Sequence, residues 1–115
     1  MQRDIASLYD IQESARLALA YLEGIDLESF VHDNQVQDAV IRRLEIIGEA
    51  ARRVSEETRA AYPALPWRQM IGMRNQMIHM YDGVDIDAVW RTVQDDLPPL
   101  LAALQLLEAS EDLGA

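Results

Sequence analysis

Apolar residues recur every three or four positions along most of this chain, which is the spacing of one face of an α-helix. The most regular of these stripes comprises Val36, Val40, Leu44, Ile47, Ala51 and Val54. Comparable stripes extend over residues 5–22, 67–78 and 86–104, and no segment alternates apolar and polar residues as a strand would. The sequence therefore predicts an all-α fold, in which four main helices and short helical turns pack as a compact antiparallel bundle.

Residues that favour helix ends predict the boundaries in the first half of the chain. Gly24 is suited to the end of the first helix, and Asp26 can cap a short helical turn that follows. Either Asp33 or Asn34 can cap the helix with the most regular stripe. Gly48 lies inside that helix, where glycine costs about 1 kcal/mol relative to alanine. We therefore expect another backbone to approach closely at Gly48, the alternative being a glycine that the helix merely tolerates.

Similar signals divide the second half of the chain. Ser55 can cap a short helix, and Pro66 can open a longer one at its first turn, where a missing N–H does little harm. Asp82-Gly83 is typical of a turn. The last helix is expected to start near Asp85. Pro98-Pro99 should kink or split it, because interior proline removes a hydrogen bond and clashes with the preceding turn.

The length of 115 residues fits a single domain spanning residues 1–115, with one hydrophobic core. The first residues have neither the basic flank nor the apolar segment of a signal peptide. No stretch approaches the roughly 20 apolar residues of a membrane span. We expect a cytoplasmic protein with no membrane contact. The absence of cysteine fits that compartment and excludes disulfides and thiolate chemistry.

The charged residues narrow the possible functions. All ten basic residues are arginines, which excludes mechanisms that need a lysine, such as Schiff-base formation and P-loop phosphate binding. The formal net charge of -10 argues against broad, nonspecific binding of nucleic acid. Any contact with RNA must therefore be local. The spacing of His, Asp and Glu indicates no metal site, and no cofactor is predicted.

Arg74, Asn75, His79 and Tyr81 lie within eight residues at the predicted end of a helix. Histidine titrates near neutral pH and can transfer a proton in either direction, while arginine presents a rigid fork of donors that suits phosphate. RNA carries its own nucleophile, the 2'-hydroxyl, so a histidine and an arginine suffice for cleavage without a metal. The structural alternative is an ion-paired arginine beside a histidine stabilised by the helix dipole.

A regular helix would separate the two main candidates. Asn75 and His79 would be about 40° apart around the axis, but Arg74 and His79 about 140°. They converge only if the helix unwinds near His79, if the arginine side chain wraps around it, or if a second subunit supplies one of them. Several helices are also apolar over more than one face, so we expect a homodimer.

The other polar residues have simpler interpretations. His32 lies in a short polar turn and is interpreted as a loop residue. A charged ladder on one helix face is interpreted as solvated surface, with the members Arg42, Glu45, Glu49, Arg53 and Glu56. Candidates for a phosphate-holding patch, if folding brings them near His79, are Arg43, Arg52, Arg68 and Arg91. Two acidic pairs look like helix caps and starts rather than metal ligands or acid/base pairs, namely Asp85 with Asp87 and Asp95 with Asp96.

The sequence resembles the HepT-like family of the HEPN superfamily over nearly the whole chain, from about residue 4 to residue 107. Two segments carry the resemblance: QDAVIRRLEIIGEAARRVSEE (37–57) and PWRQMIGMRNQMIHMYDGVDIDAVWRTVQDDLPPL (66–100). The family motif is an arginine, four residues, a histidine, one residue and a tyrosine, present here as Arg74, His79 and Tyr81. Met80 stands where many relatives have a small residue such as glycine, which changes the local backbone freedom but removes no functional group.

This resemblance implies a compact helical domain that dimerises and brings two copies of the motif to a shared cleft. It also implies a toxin that cleaves RNA without a metal and is neutralised by a cognate minimal nucleotidyltransferase of the MntA type. By the same resemblance Arg74 stabilises the phosphate and His79 is the acid/base residue. Asn75 orients or binds the substrate, and Tyr81 is the residue that the partner adenylylates.

Two functions remain open at this point. The first is an endoribonuclease toxin that uses 2'-hydroxyl attack in a homodimeric cleft. The alternative is a catalytically weak binding module, whose main task is to form a complex with a nucleotidyltransferase. The intact motif favours the first function and the acidic charge favours the second. Toxicity on expression without the nucleotidyltransferase would separate them.

Overall fold

The computed structural model describes residues 2–79 and 83–109. It describes only the backbone of six of these residues: Gln2, Gln76, Ile78, His79, Glu108 and Ala109. The elements in chain order are α1 (Gln2–Tyr21), α2 (Leu27–Val31), α3 (Asn34–Arg53), α4 (Glu56–Ala61), α5 (Trp67–Ile71), α6 (Met73–Met77), β1 (Ile78–His79), β2 (Gly83–Val84), α7 (Ile86–Arg91), a π-helical turn (Thr92–Asp96) and α8 (Leu97–Ala109). The prediction of a mostly helical fold is therefore confirmed. No helix within this part of the chain is both long enough and apolar enough to cross a membrane.

Helices α1 and α3, the two longest, pack against each other along much of their length. They run antiparallel, because Asp4 in the first turn of α1 contacts Ser55 just beyond the end of α3. Helix α8 packs against α1, and α5 and α6 pack against α3. Burying apolar side chains between these elements is the main favourable contribution to folding. The largest fully buried side chains are Phe30, Ile11, Leu44, Ile47, Met70, Met73, Met77, Leu97 and Leu100.

Asp4 ties the start of α1 to the start of α4. It is only 6% exposed, and its carboxylate accepts hydrogen bonds from the Thr58 hydroxyl (2.6 Å), the Ser55 hydroxyl (2.7 Å) and the Ser55 backbone N–H (3.0 Å). These bonds, that from Thr58 foremost, lower the pKa of Asp4 to about 2, because they stabilise the charged form. The sequence indicated Ser55 as a cap, but gave no sign that a distant aspartate would share it.

The predicted helix ends are largely confirmed. Asp26 caps α2 by accepting a hydrogen bond from the Ser29 backbone N–H at 2.8 Å. Between the two candidates for α3, Asp33 is the cap, accepting from the backbone N–H of Val36 at 3.1 Å. Gly24 follows α1 with φ of 76°, a conformation that glycine adopts without strain.

The close approach expected at Gly48 is also confirmed. A Cβ atom at this position would lie 3.2 Å from the backbone oxygen of Met70 and 3.6 Å from that of Ile71. Both oxygens belong to α5, so the missing side chain lets α5 lie directly on α3. The helix-propensity cost of glycine is thus offset by a closer contact between two elements.

The prediction of one long helix from Pro66 through Ile78 is wrong. Gly72 separates it into α5 and α6, and α6 ends at Met77. Ile78 and His79 instead pair antiparallel with Val84 and Gly83, so the expectation of no strand is wrong as well. Each strand has two residues, too few for an alternating pattern to show.

The two prolines do not split the last helix. Helices α7 and α8 are continuous through the π-helical turn, in which the Leu97 N–H reaches the carbonyl of Thr92, five residues earlier. Because Pro98 and Pro99 have no N–H to donate, the turn before them cannot close as a regular α-helix. The helix instead forms a wider π-helical turn before the two prolines. Single π turns of this kind are often found inside longer helices.

Candidate active site

A cleft of about 400 Å³ lies between α3 and the segment formed by α5 and α6. It contains two of the predicted site residues, Arg74 and Asn75. The lining residues are Glu45, Gly48, Glu49, Arg52, Ile71, Arg74 and Asn75. Four of these seven carry a formal charge, two of each sign, so the cleft is locally neutral although the chain has a net charge of -10.

Buried methionines position the polar residues of α6. Met70, Met73 and Met77 are each at most 1% exposed and anchor α5 and α6 to the core. Arg74 and Asn75 directly follow Met73 in the same short helix, and successive residues of a helix point in different directions. Their side chains are therefore exposed at the cleft while the methionines are buried.

Arg74 is weakly paired. Its side chain is 68% exposed, and its Nε lies 3.8 Å from Oε2 of Glu45, which is beyond hydrogen-bond distance. Glu45 also lies 3.8 Å from Arg42, which is 3.5 Å from Glu49. Exposed pairs of this kind contribute roughly 0–1 kcal/mol, so an anionic ligand can compete for the guanidinium at little cost.

The backbone of His79 lies in a hairpin rather than in a helix. Helix α6 ends two residues before it, His79 pairs with Gly83, and the N–H of Asp85 donates to the carbonyl of Met77 at 2.6 Å. The angle of about 140° expected from a regular helix therefore does not apply between Arg74 and His79. The helix unwinds, which is the first of the three conditions under which the two groups could converge.

Tyr81 lies outside the described residues, as does Asp82 of the predicted turn. Its role stays a prediction. Gly83, the other turn residue, is described and has φ of 80°, a value that favours glycine and suits the end of a tight connection.

Of the four arginines considered for a phosphate patch, Arg52 lines the same cleft as Arg74. Arg91 borders a separate depression beside Asp95 and Asp96. No contact places Arg43 or Arg68 in the cleft among the described residues.

The charged ladder is partly confirmed as an exposed surface. Arg42 lies within 4 Å of both Glu45 and Glu49, and the three side chains are 31–55% exposed. Glu45 and Glu49 also line the cleft, which the sequence did not indicate. Arg53 belongs less clearly to this ladder, because it lies 3.6 Å from Asp10 on α1. The signal that could have identified this face was Gly48, which marks where α5 approaches α3.

The remaining candidates behave mostly as expected. His32 is exposed at the end of α2, and Asp85 caps α7 through the backbone N–H of Ala88 at 3.0 Å. Asp95 and Asp96 lie in the π-helical turn and not at a helix start, so their interpretation as caps is wrong. Burial, and next the neighbouring charge of Asp95, raise the pKa of Asp96. Among the side chains that the structure describes, no three His, Asp or Glu residues are grouped as metal ligands.

Comparison with known proteins adds family membership to this geometry. Residues 11–107 match the family model described as "Ribonuclease HepT-like". The chain is 39% identical over 107 residues to "Putative RNase MJ1380" of Methanocaldococcus jannaschii, covering 92% of this chain and 98% of that protein. It is 41% identical over 100 residues to "Probable ribonuclease HepT" of Thermococcus cleftensis, covering 87% of this chain and 91% of that protein. No solved structure matched the chain.

The family match includes both sides of the cleft, because residues 11–107 contain α3, α5, α6 and the hairpin. Both relatives match over more than nine tenths of their own length. The chain therefore belongs to the HepT-like ribonuclease family.

Proposed function

We propose that this chain is a metal-independent endoribonuclease that acts as the toxin of a toxin-antitoxin system. The observation that supports this most directly is Arg74, an exposed and weakly paired guanidinium in a cleft, five residues before His79. The names of the relatives support ribonuclease chemistry for the family. The toxin role rests on the resemblance to HepT proteins.

In the proposed reaction the 2'-hydroxyl of the RNA attacks the adjacent phosphorus. His79 accepts the hydroxyl proton as the P–O2' bond forms, and the P–O5' bond breaks as the leaving 5'-oxygen receives a proton. Arg74 stabilises the charge that builds up on the phosphorane oxygens, and Asn75 orients the phosphate. The products are a 2',3'-cyclic phosphate and a 5'-hydroxyl.

A homodimer would complete this site. One proton must be taken up and another delivered at opposite sides of the phosphorus, and two copies of His79 in a shared cleft can divide these tasks. The single chain leaves apolar side chains at the surface, among them Ile5 at 41% and Leu106 at 74% exposure. Light scattering should give twice the chain mass of 13.0 kDa, and a stable monomer at micromolar concentration would contradict the shared cleft.

The catalytic proposal is tested by substituting the two reacting groups. His79→Ala and Arg74→Ala should each lower RNA cleavage by roughly 10²- to 10⁴-fold and relieve toxicity, with helicity unchanged. Cleavage by the wild-type protein should persist in EDTA. Cleavage that survives both substitutions, or that requires a divalent metal, would show that the mechanism is wrong.

Regulation would act at Tyr81, through adenylylation by an MntA-type nucleotidyltransferase. The transferred group carries a negative phosphate and a base, so it would compete with RNA for Arg74 and block the cleft. After co-expression with the partner, peptide mapping should find the modification at Tyr81 and none in Tyr81→Phe. Tyr9 is an internal control, because it is 63% exposed and should stay unmodified if the partner recognises the motif rather than any accessible tyrosine.

The alternative function is a weak or inactive module that mainly binds the nucleotidyltransferase. The observation that favours it is the net charge of -10, together with the carboxylate of Glu45 already beside Arg74. Expression without the partner separates the two functions. Growth arrest that depends on His79 favours the ribonuclease, whereas normal growth and no cleavage by the purified protein favour the binding module.

A further inference from the structure

We infer that Arg52 forms a second phosphate-binding subsite, which holds a phosphate of the RNA strand other than the one at Arg74. This inference rests on the proposed ribonuclease function and names how the same cleft holds its substrate. Arg52 comes from α3, a different element from the one that carries Arg74, so the two cations face the cleft from separate sides of it.

Helical spacing places Arg52 on the wall of the cleft. Glu45, Glu49 and Arg52 follow one another at intervals of four and three residues, so they lie on one face of α3. All three line the cleft, with Gly48 between them in direct contact with α5. The packing of α3 against α5 therefore places this face of α3, with all three side chains, along the cleft.

Arg52 lies on the same face as Glu49, but it makes no ion pair among the described residues. Within the part of the chain that the structure describes, Arg42 and Arg74 each lie within 4 Å of a glutamate, but Arg52 has no such partner. Its neighbour Arg53 lies on another side of α3 and pairs with Asp10 on α1. Of the two cations that line the cleft, Arg52 is thus the one with no carboxylate within 4 Å among the described residues.

The backbone that carries Arg52 is firmly held. The guanidinium of Arg59 donates to the carbonyl of Arg52 at 3.0 Å and to that of Val54 at 3.0 Å, which fixes the end of α3. The adjacent Ala51 is fully buried. A phosphate at Arg52 therefore needs to order one side chain and no backbone, which lowers the entropic cost of binding.

The positions of Arg74 and Arg52 relative to α3 indicate the path of the bound RNA strand. Arg74 lies beside Glu45, and Arg52 is seven residues beyond Glu45, which is about 10 Å along the helix axis. This offset along α3 favours separate phosphates at the two arginines. The strand would therefore run along α3 from Arg74 towards the C-terminal end of the helix, with Arg52 binding a phosphate that does not react. In a chain with a net charge of -10, a local pair of cations gives the phosphates of RNA two positive contacts beside the glutamates of the cleft.

The test compares Arg52→Gln with Arg53→Gln, which removes the same charge from the next residue of the same helix. The probe for binding is a single-stranded RNA oligonucleotide with 2'-O-methyl groups throughout, which lacks the attacking hydroxyl. Arg52→Gln should weaken its binding roughly three- to tenfold and lower the slope of log affinity against log salt by about 0.7, as expected for one lost phosphate contact on a single strand. Arg53→Gln should leave both values unchanged.

Cleavage kinetics supply the second measurement. Arg52→Gln should raise KM for unmodified RNA by a similar factor and leave kcat within about twofold, because the residue binds ground state and transition state equally. Arg52→Lys should recover part of the affinity. If the wild type cleaves RNA and Arg52→Gln matches Arg53→Gln in KM and salt slope, the subsite is wrong and the ribonuclease proposal stands. If the wild type neither binds the probe nor cleaves RNA, both proposals fail.

Discussion

The charged side chains of Asp4 and Arg74 lie in opposite surroundings. Asp4, where α1 meets α4, is buried and tightly hydrogen-bonded, whereas Arg74 on α6 is exposed and loosely paired. Asp4 is 6% exposed and accepts three hydrogen bonds of 2.6–3.0 Å, but the side chain of Arg74 is 68% exposed and lies 3.8 Å from its nearest carboxylate. Removing a bonded group from a buried site leaves its partners unsatisfied, which costs stability. Removing an exposed and loosely paired group such as Arg74 costs little stability.

The two regions also differ in how they are built. Helices α1 and α3 are each 20 residues long and contact each other over several turns. Helices α5 and α6 have five residues each, and their stability depends on a few buried methionines rather than on their own length. We therefore expect the site segment to be the more easily displaced, and the following experiments test that difference.

The largest effect is expected from truncating a methionine anchor of the site segment. Met73→Ala and Leu44→Ala both empty a buried position, and each should lower the free energy of unfolding by roughly 2–5 kcal/mol in urea titrations. Only Met73→Ala should also lower the RNA cleavage rate per folded molecule, because it loosens the helix that carries Arg74. Equal specific activity of the two variants would mean that the site segment is held independently of this anchor.

An intermediate effect is expected at Asp4. Its folded-state pKa of about 2 lies below the ordinary value of 3.8, so the carboxylate stabilises the fold above pH 4 and this contribution is lost as the pH falls from about 4 to about 2. Asp4→Asn should lower the free energy of unfolding at pH 7 by about 1–2 kcal/mol and make the remaining stability less dependent on pH in that range. Thermal unfolding at several pH values measures both.

RNA cleavage per folded molecule should be unchanged in Asp4→Asn, because Asp4 contacts α4 and not the cleft. A specific loss of activity would mean that the two regions are coupled, and that the contrast between them is weaker than their structures indicate.

The smallest effect is expected at Glu45. If its carboxylate competes with phosphate for Arg74, Glu45→Gln should tighten binding of single-stranded RNA about two- to threefold. Glu28→Gln on α2 is the matched control, since it removes one exposed negative charge away from the cleft. Weaker binding in Glu45→Gln would instead show that Glu45 positions Arg74.

The sequence predicts local features of the fold better than contacts between distant parts of the chain. The long apolar stripe of α3, the cap at Asp33 and the close approach at Gly48 are all local signals, and all three are confirmed. The contact of Asp4 with Ser55 and Thr58 joins positions more than 50 residues apart, and no spacing rule relates them. A prediction from periodicity cannot find such a contact.

The sequence indicates residue types for the candidate site but not its geometry. Arg74 and Asn75 were identified from their chemistry and their position near His79, and the structure places both in one cleft. The break at Gly72 and the pairing of His79 with Gly83 were not predicted, because helices of five residues and strands of two are shorter than the patterns that identify them. The part played by Glu45 and Arg52 depends on which face of α3 meets α5, which is a property of the tertiary fold.

The contact at Gly48 also bears on how such a cleft can evolve. The atoms that approach Gly48 are the main-chain oxygens of Met70 and Ile71, so the spacing between α3 and α5 is set by backbone and does not depend on which side chains follow. Positions on the rim, such as Glu49 and Arg52, can then be exchanged without moving the two walls. Substitutions at these rim positions would therefore change the charge of the cleft without changing its width.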